Sequence, residues 1–149
     1  MSEQHDFSTA DLIDIAPDTP SCETQFHRFG RHRHFCGKIR TVKCARDNGL
    51  VKTLMNSHSE GEVLVVDGGG SLYSALMGDL IAGAGAANGW AGAVINGAIR
   101  DSEAINTMPF GVKALGTNPR KSAKAGAGEV DITVSFGGVD FIPGHYLYS

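Results

Sequence analysis

Val63-Leu64-Val65-Val66 offers no polar position for a solvated face, and the run ends on Asp67 followed by Gly68-Gly69-Gly70. Unbroken apolar runs of this length predict a strand buried on both faces, the pattern of parallel sheets covered on two sides. A second such run, "WAGAVINGAIR", closes on Arg100 and then Asp101. Between the two, Leu72, Ala75, Leu76, Leu80 and Ala84 recur at helical spacing. Upstream, "GKIRTVKC" reads as a strand, and Leu50, Val51, Leu54 and Met55 share a helical face after Asn48. "TADLIDIAP" predicts a short helix capped by Thr9 and stopped near Pro17. In the tail, Val130, Ile132, Val134 and Phe136 alternate with other residues before a turn at Gly137-Gly138, which predicts an antiparallel hairpin. Parallel βα units followed by a hairpin predict a mixed α/β fold, and 149 residues suit one domain spanning 1–149.

Composition narrows the function classes. Apolar runs break well short of the roughly 18 residues that a membrane span needs. The N-terminus is acidic rather than basic-then-apolar, so the expectation is a soluble, cytoplasmic chain with no membrane contact. Three widely spaced cysteines, Cys22, Cys36 and Cys44, predict reduced thiols. A net charge of -3 gives no general case for nucleic acid, and no direct nucleic-acid binding is expected. The charge is nevertheless uneven: Arg28, Arg31, Arg33, Lys38, Arg40, Lys43 and Arg46 lie between positions 24 and 46 without an acidic residue. With Phe26, Phe29 and Phe35 interleaved, that stretch could stack bases; burial preferences favour phenylalanines in the core and solvated cations. His32, His34 and Cys36 have metal-ligand chemistry, which the surrounding arginines oppose. Gly68-Gly69-Gly70-Ser71 lacks the Lys-Ser or Lys-Thr of a phosphate loop, and the glycines from Gly83 to Gly89 have the wrong spacing for a dinucleotide fold.

One constellation survives. Twenty residues separate Asp79 from Arg100, about one helix plus one strand, which can bring a helix start beside a neighbouring strand end. Gly78 weakens the helical pattern, so a helix starting afresh near Asp79 would leave first-turn N–H groups for an anion. Arg100 can grip a carboxylate with two prongs, and Asp101 can hold a hard divalent cation through oxygen. The competing reading is an ordinary solvated ion pair.

At these residues the chain resembles a known family. "VLVVDGGGSLYSALMGDLIA", "GWAGAVINGAIRD", "GVKALGTNPRKS", "VSFGGVDFIPGHYLYS" and "FHRFGRHRHFCGKIRTVKCARDN" resemble the family that joins RraA regulators of ribonuclease E activity with 4-hydroxy-4-methyl-2-oxoglutarate aldolases. Arg31 stands where a glycine is common there. The resemblance implies a swivelling-domain-like α/β sandwich with a mixed sheet, assembled as a homotrimer or a dimer of trimers. It implies a class II pyruvate aldolase using Mg²⁺ or Mn²⁺, cleaving 4-hydroxy-4-methyl-2-oxoglutarate to two pyruvates, with oxaloacetate decarboxylation as a side activity. Gly78, Asp79, Leu80 and Ile81 would form the substrate loop, Arg100 would bind the 2-oxo acid carboxylate, and Asp101 would ligate the metal. Such a metal stabilises the enolate of a 2-oxo acid without a lysine Schiff base. A water near Asp79 would carry the proton. The alternative that the resemblance carries is a non-catalytic regulator that binds and inhibits a ribonuclease E-type enzyme. The label of menaquinone-pathway methyltransferase also occurs in this family, but the sequence has no glycine-rich loop of the kind that grips adenosylmethionine. Relatives are expected to continue about ten residues past the position of Ser149, through one more strand.

Overall fold

The computed structural model describes residues 6–149. The elements in chain order are α1 (Thr9–Ile15), β1 (His27–Phe29), β2 (Cys36–Lys43), α2 (Gly49–Met55), β3 (Val63–Asp67), β4 (Ala75–Met77), α3 (Asp79–Ala87), β5 (Gly92–Ile99), α4 (Ser102–Ile105), β6 (Val112–Thr117), β7 (Glu129–Val130), β8 (Val134–Phe136), β9 (Val139–Phe141) and β10 (Tyr146–Tyr148). The large sheet runs β1-β6-β5-β3-β2-β10, with β4 beside β5 and β7 beside β2. Strands β2, β3, β5 and β6 pair in parallel, whereas β1 and β10 add antiparallel edges. The fold is therefore mixed α/β with a large mixed sheet.

The two continuous apolar runs are central strands, and every residue of β3 and β5 is buried. Strand alternation divides them between two cores. Leu64, Val66, Ala93 and Ile95 pack with Val51, Leu54, Met55, Ile81 and Ile105 from the helices. Val63, Val65 and Val94 point the other way, toward Phe35, Val134 and Phe141. The parallel strands progress across the sheet in one direction, so right-handed crossovers place α2, α3 and α4 on the same face. The hairpin β8-β9 and the segment around Phe35 close the other face.

Three sequence expectations need correction. Ser8, not Thr9, caps α1, its Oγ accepting from the Asp11 N–H at 3.4 Å. The helical run expected from Leu72 begins only at Asp79, because Ala75–Met77 is strand. Those residues are fixed from both sides: the Ala75 N–H donates to the Arg120 carbonyl at 2.8 Å, and the Arg100 N–H donates to the Met77 carbonyl at 3.0 Å. Burial on all sides mimicked a helical face there, and sheet pairing overrode the periodicity. The alternation of the tail is also broken. Val130 pairs with Val42 in the large sheet, then Asp131 turns at φ 58 and its carboxylate takes Arg40 in a two-pronged bond at 3.2 and 2.8 Å. The hairpin starts at Val134 and turns at Gly137-Gly138, both at positive φ as a tight hairpin turn requires. Trp90 and Phe110 are fully buried within the chain. Trp90 Nε1 donates to the Ser57 carbonyl at 3.0 Å.

Candidate functional site

Strand β3 ends at Asp67, whose Oδ1 accepts from the Gly69 N–H at 2.9 Å and from Asn96 Nδ2 at 3.1 Å. A Cβ on Gly68 would lie 2.9 Å from the Asn96 carbonyl oxygen, so the glycine run serves a close backbone approach. No helix follows it directly: the chain loops through residues 71–74 and re-enters as β4, which continues the sheet beside Ala98 and Ile99 where β3 has stopped. The crevice is thus made by β4 rather than by a reversal of strand order, the switch point that doubly wound sheets use.

At the end of β4 and β5 the expected residues meet. Asp101 adopts a left-handed conformation, φ 57 and ψ 38, immediately before α4. That turn brings its Oδ2 to 3.2 Å from the Asp79 N–H, which donates to it, and to 3.8 Å from Arg100 Nε. Gly78 has an extended backbone that any residue can adopt, so it is needed for space: a Cβ there would lie 2.9 Å from Asp101 Oδ2 and 3.4 Å from Arg100 Cγ and Nε. The Arg100 and Asp101 side chains are 32% and 37% exposed, so both groups remain open to a ligand and their own pairing contributes little.

Residues 78–81 are the N-cap and first turn of α3. Ile81 is buried in the helix-side core, while Leu80 is 84% exposed. Two of the first-turn N–H groups are already engaged by carboxylates, Asp79's by Asp101 and Leu80's by the Asp79 Oδ1 at 2.8 Å. Helix starts attract anions, and here protein carboxylates occupy that position.

Arg100, Asp101, Ser102, Thr117, Asn118 and Pro119 line a cleft of about 240 Å³. Its far wall belongs to the strap between β6 and β7, which the sequence reading did not treat as chemistry. The strap crosses the ends of β5 and β4: the Asn118 N–H donates to the Ile99 carbonyl at 2.9 Å, and Asn118 Nδ2 to the Leu72 carbonyl at 2.7 Å. Ser122 Oγ, buried, donates to the Ala75 carbonyl at 2.6 Å and lies 2.8 Å from Ser74 Oγ. The strap ends on Asp47, whose carboxylate accepts from the N–H groups of Gly49, Ala125 and Gly126. These bonds hold the Asp47 carboxyl below the usual carboxylate range, the Gly49 N–H contributing most. The Arg46 and Arg120 guanidinium carbons lie 3.9 and 4.3 Å from the Tyr73 ring centroid. The available signals were the Asn-Pro turn and the three cations Arg120, Lys121 and Lys124.

The remaining candidates do not assemble. Phe35 is fully buried, and Phe26 packs edge-on against Phe136, so these rings serve the core. Arg28, Arg31, Arg33, Lys38, Lys43 and Arg46 are exposed, and Arg40 is held by Asp131. His32 Nδ1 is buried without a hydrogen-bond partner, and His34 packs on Phe7. Among the described residues no three His, Cys, Asp or Glu side chains converge on a metal position. Cys22, Cys36 and Cys44 are free thiols, and burial pushes the Cys44 thiol up to about 11. No helix among the described residues is long and apolar enough to cross a membrane.

Does the site suit a divalent cation? Asp79 and Asp101 supply hard oxygen donors, and Asp101 lines the cleft beside Arg100. Two carboxylates are fewer than a complete protein cage, but Mg²⁺ characteristically takes one or two and completes its shell with water and substrate oxygen. The donor chemistry is compatible with such an ion.

The sequence matches the RraA-like family (Aldolase/RraA) over residues 9–149. Among solved structures, a Geobacillus kaustophilus protein named S-adenosylmethionine:2-dimethylmenaquinone methyltransferase is 46% identical, with TM-score 0.94, covering 96% of this chain and 89% of its own. The Thermus thermophilus RNA-processing inhibitor RraA is 41% identical, with TM-score 0.94, covering 97% and 88%. Streptomyces coelicolor RraAS2, named as an unusual member of the RNase ES inhibitor RraA family, shares the fold at 23% identity and TM-score 0.74, covering 93% and 72%. Family agreement over residues 9–149, two relatives above 40% identity and the mixed sheet with its C-terminal hairpin converge: the chain belongs to the RraA-like family.

Proposed function

We propose that the chain is a divalent-metal-dependent carbon–carbon lyase of 2-oxo acids, cleaving 4-hydroxy-4-methyl-2-oxoglutarate to two pyruvates and decarboxylating oxaloacetate as a side activity. The observation that carries this reading is the meeting of Gly78, Asp79, Arg100 and Asp101 at one strand end beside an open cleft. Arg100 holds the carboxylate of the 2-oxo acid, for which its planar fork is suited. Asp101 holds Mg²⁺ or Mn²⁺, which supplies Lewis-acid polarisation of the 2-oxo group when bound. In the cleavage the bond between carbons 3 and 4 breaks, the carbon-4 hydroxyl loses its proton, and carbon 3 gains one. Asp79, in the first turn of α3, positions the water that carries the proton. The test is pyruvate release from both substrates with Mg²⁺ or Mn²⁺ and with EDTA. Release that the chelator abolishes supports the reading; equal rates in both conditions, or no release with metal supplied, overturns it.

A second reading, a non-catalytic regulator that binds a ribonuclease E-type enzyme, is favoured by the name of the Thermus thermophilus relative and by the exposed Arg28, Arg31 and Arg33. Capture of such an enzyme that is lost on charge reversal at Arg31 and Arg33, with no lyase activity, would support it over the first. Either way a homotrimeric assembly is part of the proposal, with the site near a subunit boundary.

A further inference from the structure

We infer that the outward face of α1, carrying Asp11, Asp14 and Ile15, docks on a second copy of this chain, against the surface where Arg46 and Arg120 stack on Tyr73. It rests on the proposed assembly of the chain with copies of itself.

Helix α1 has no buried residue. Among the described residues, the hydrogen bonds of residues 8–19 stay inside the segment: the Asp11 N–H donates to Ser8 Oγ, and the Leu12, Ala16 and Thr19 N–H groups donate to the carbonyls of Ser8, Leu12 and Ala16. The flanks are tied to the body, Phe7 by edge-on packing against His34 and Tyr148, and Glu23 by its N–H donating to the Gly137 carbonyl at 2.8 Å. A helix of seven residues needs tertiary contacts to persist in water. Its own chain supplies them only at Leu12 and Ile13, which are half-buried. Asp11, Asp14 and Ile15, at i, i+3 and i+4, share the opposite face, and Ile15 is 80% exposed. No ion pair among the described residues includes Asp11 or Asp14.

The complementary chemistry is built around Tyr73. The Arg46 and Arg120 guanidinium carbons lie 3.9 and 4.3 Å from its ring centroid. Arg120 Nη1 donates to the Tyr73 carbonyl at 3.3 Å, the Arg120 N–H donates to Asn118 Oδ1 at 2.9 Å, and the Arg46 carbonyl accepts from the Ala123 N–H at 3.0 Å. Two like charges are thus held against one ring, and neither has an acidic partner among the described residues. Stacking uses a guanidinium's face and leaves N–H edges for carboxylates, and side chains already fixed lose little freedom on binding. Leu72 and Tyr73 are 49% and 47% exposed beside them. Fixed cations around apolar surface therefore answer carboxylates around an isoleucine. The Arg28–Arg33 stretch lacks the apolar half of this match, because Phe26, Phe29 and Phe35 are turned into the cores. Leu80 lacks the cationic half, since its neighbour is Asp79. Arg120 follows Asn118 and Pro119 of the cleft wall, so a docked α1 borders the cleft.

Size exclusion with light scattering on the full-length chain, over a dilution series, tests this. Asp11→Lys with Asp14→Lys, and separately Arg46→Glu with Arg120→Glu, should each raise the dissociation constant of the assembly by about tenfold or more, the scale of one charge-assisted contact made repulsive. The α1 substitutions touch no buried side chain, so that variant stays folded even where the strap variant does not, and circular dichroism checks both. Mixing the two variants should restore association at least in part, because each supplies the charge that the other's surface now needs. A contact within one chain gains nothing from mixing. Ile15→Ser should weaken association with no change of charge. An oligomeric wild type whose mass the α1 substitutions leave unchanged overturns the inference, assigns α1 a partner other than this chain and leaves the assembly standing. Folded variants that dissociate and are not rescued by mixing overturn it as well. A monomeric wild type overturns both.

Discussion

Gly78 is the residue on which the site turns. Its backbone conformation is open to alanine, so Gly78→Ala should change stability by no more than about 1 kcal/mol. The added methyl, however, would press on Asp101 Oδ2 at 2.9 Å and on Arg100. The expected result is a folded protein with a near-normal melting temperature, weakened Mg²⁺ or Mn²⁺ binding by titration calorimetry, and lyase activity reduced about tenfold or more. Arg100→Lys removes the planar fork but keeps the charge, and kcat/KM should fall by about a hundredfold or more. Full activity in either variant would place the chemistry elsewhere. Cys44 is the opposite kind of residue: buried, with its thiol pushed up to about 11, it should resist alkylation at neutral pH that modifies the partly exposed Cys22.

Among the elements, β4 and the strap depend on each other. Ser122→Ala leaves the Ala75 carbonyl without its side-chain donor and Ser74 without its partner, both in buried surroundings, and should cost about 1–3 kcal/mol in denaturant unfolding. Because the strap forms the cleft wall, the same variant should lower activity more than a surface Ser→Ala change does. This pair of elements also marks the boundary of what the sequence makes legible. Strands β3 and β5 were plain because burial on two faces leaves an apolar run that nothing interrupts. Gly78-Asp79 and Arg100-Asp101 were legible because a break in the helical pattern and a charged strand end lie one βα unit apart. Strand β4 was not: its partners, Arg120 and Arg100, are distant in sequence, and burial of Ala75, Leu76 and Met77 leaves no period to read. Nor was the turn at Asp131, where a carboxylate clamped by Arg40 ends an alternation that local pattern would continue.

For the whole molecule, acid stability and assembly follow from the same architecture. Asp47 has its folded-state pKa lowered beneath its ordinary 3.8, chiefly by the Gly49 N–H. Its ionised form is thus preferred by the folded chain; this stabilisation is complete above the ordinary value and is lost as pH falls through the lowered one. The wild-type melting temperature should therefore drop more steeply as pH falls below about 4 than that of Asp47→Asn, which no longer titrates. The proposed assembly would have to use surface that the chain itself leaves open. Trp90 and Phe110 are spent on the interior, but Leu72, Tyr73, Leu80, Tyr146 and Tyr148 are exposed. Leu80 is 84% exposed on the first turn of α3, next to Asp79, so a neighbouring copy that covered it would also close the site. Size exclusion with light scattering should give a mass three times the 15.7 kDa of one chain. Leu80→Asp changes no buried contact of the single chain, so it should lower that mass while leaving the circular dichroism spectrum intact, and activity should fall with the mass. Dilution of wild type should reduce activity before it reduces secondary structure, because an assembly held by surface contacts dissociates by mass action. A stable monomer with full activity would refute both the trimer and the shared site, leaving the cleft beside Arg100 and Asp101 complete within one chain.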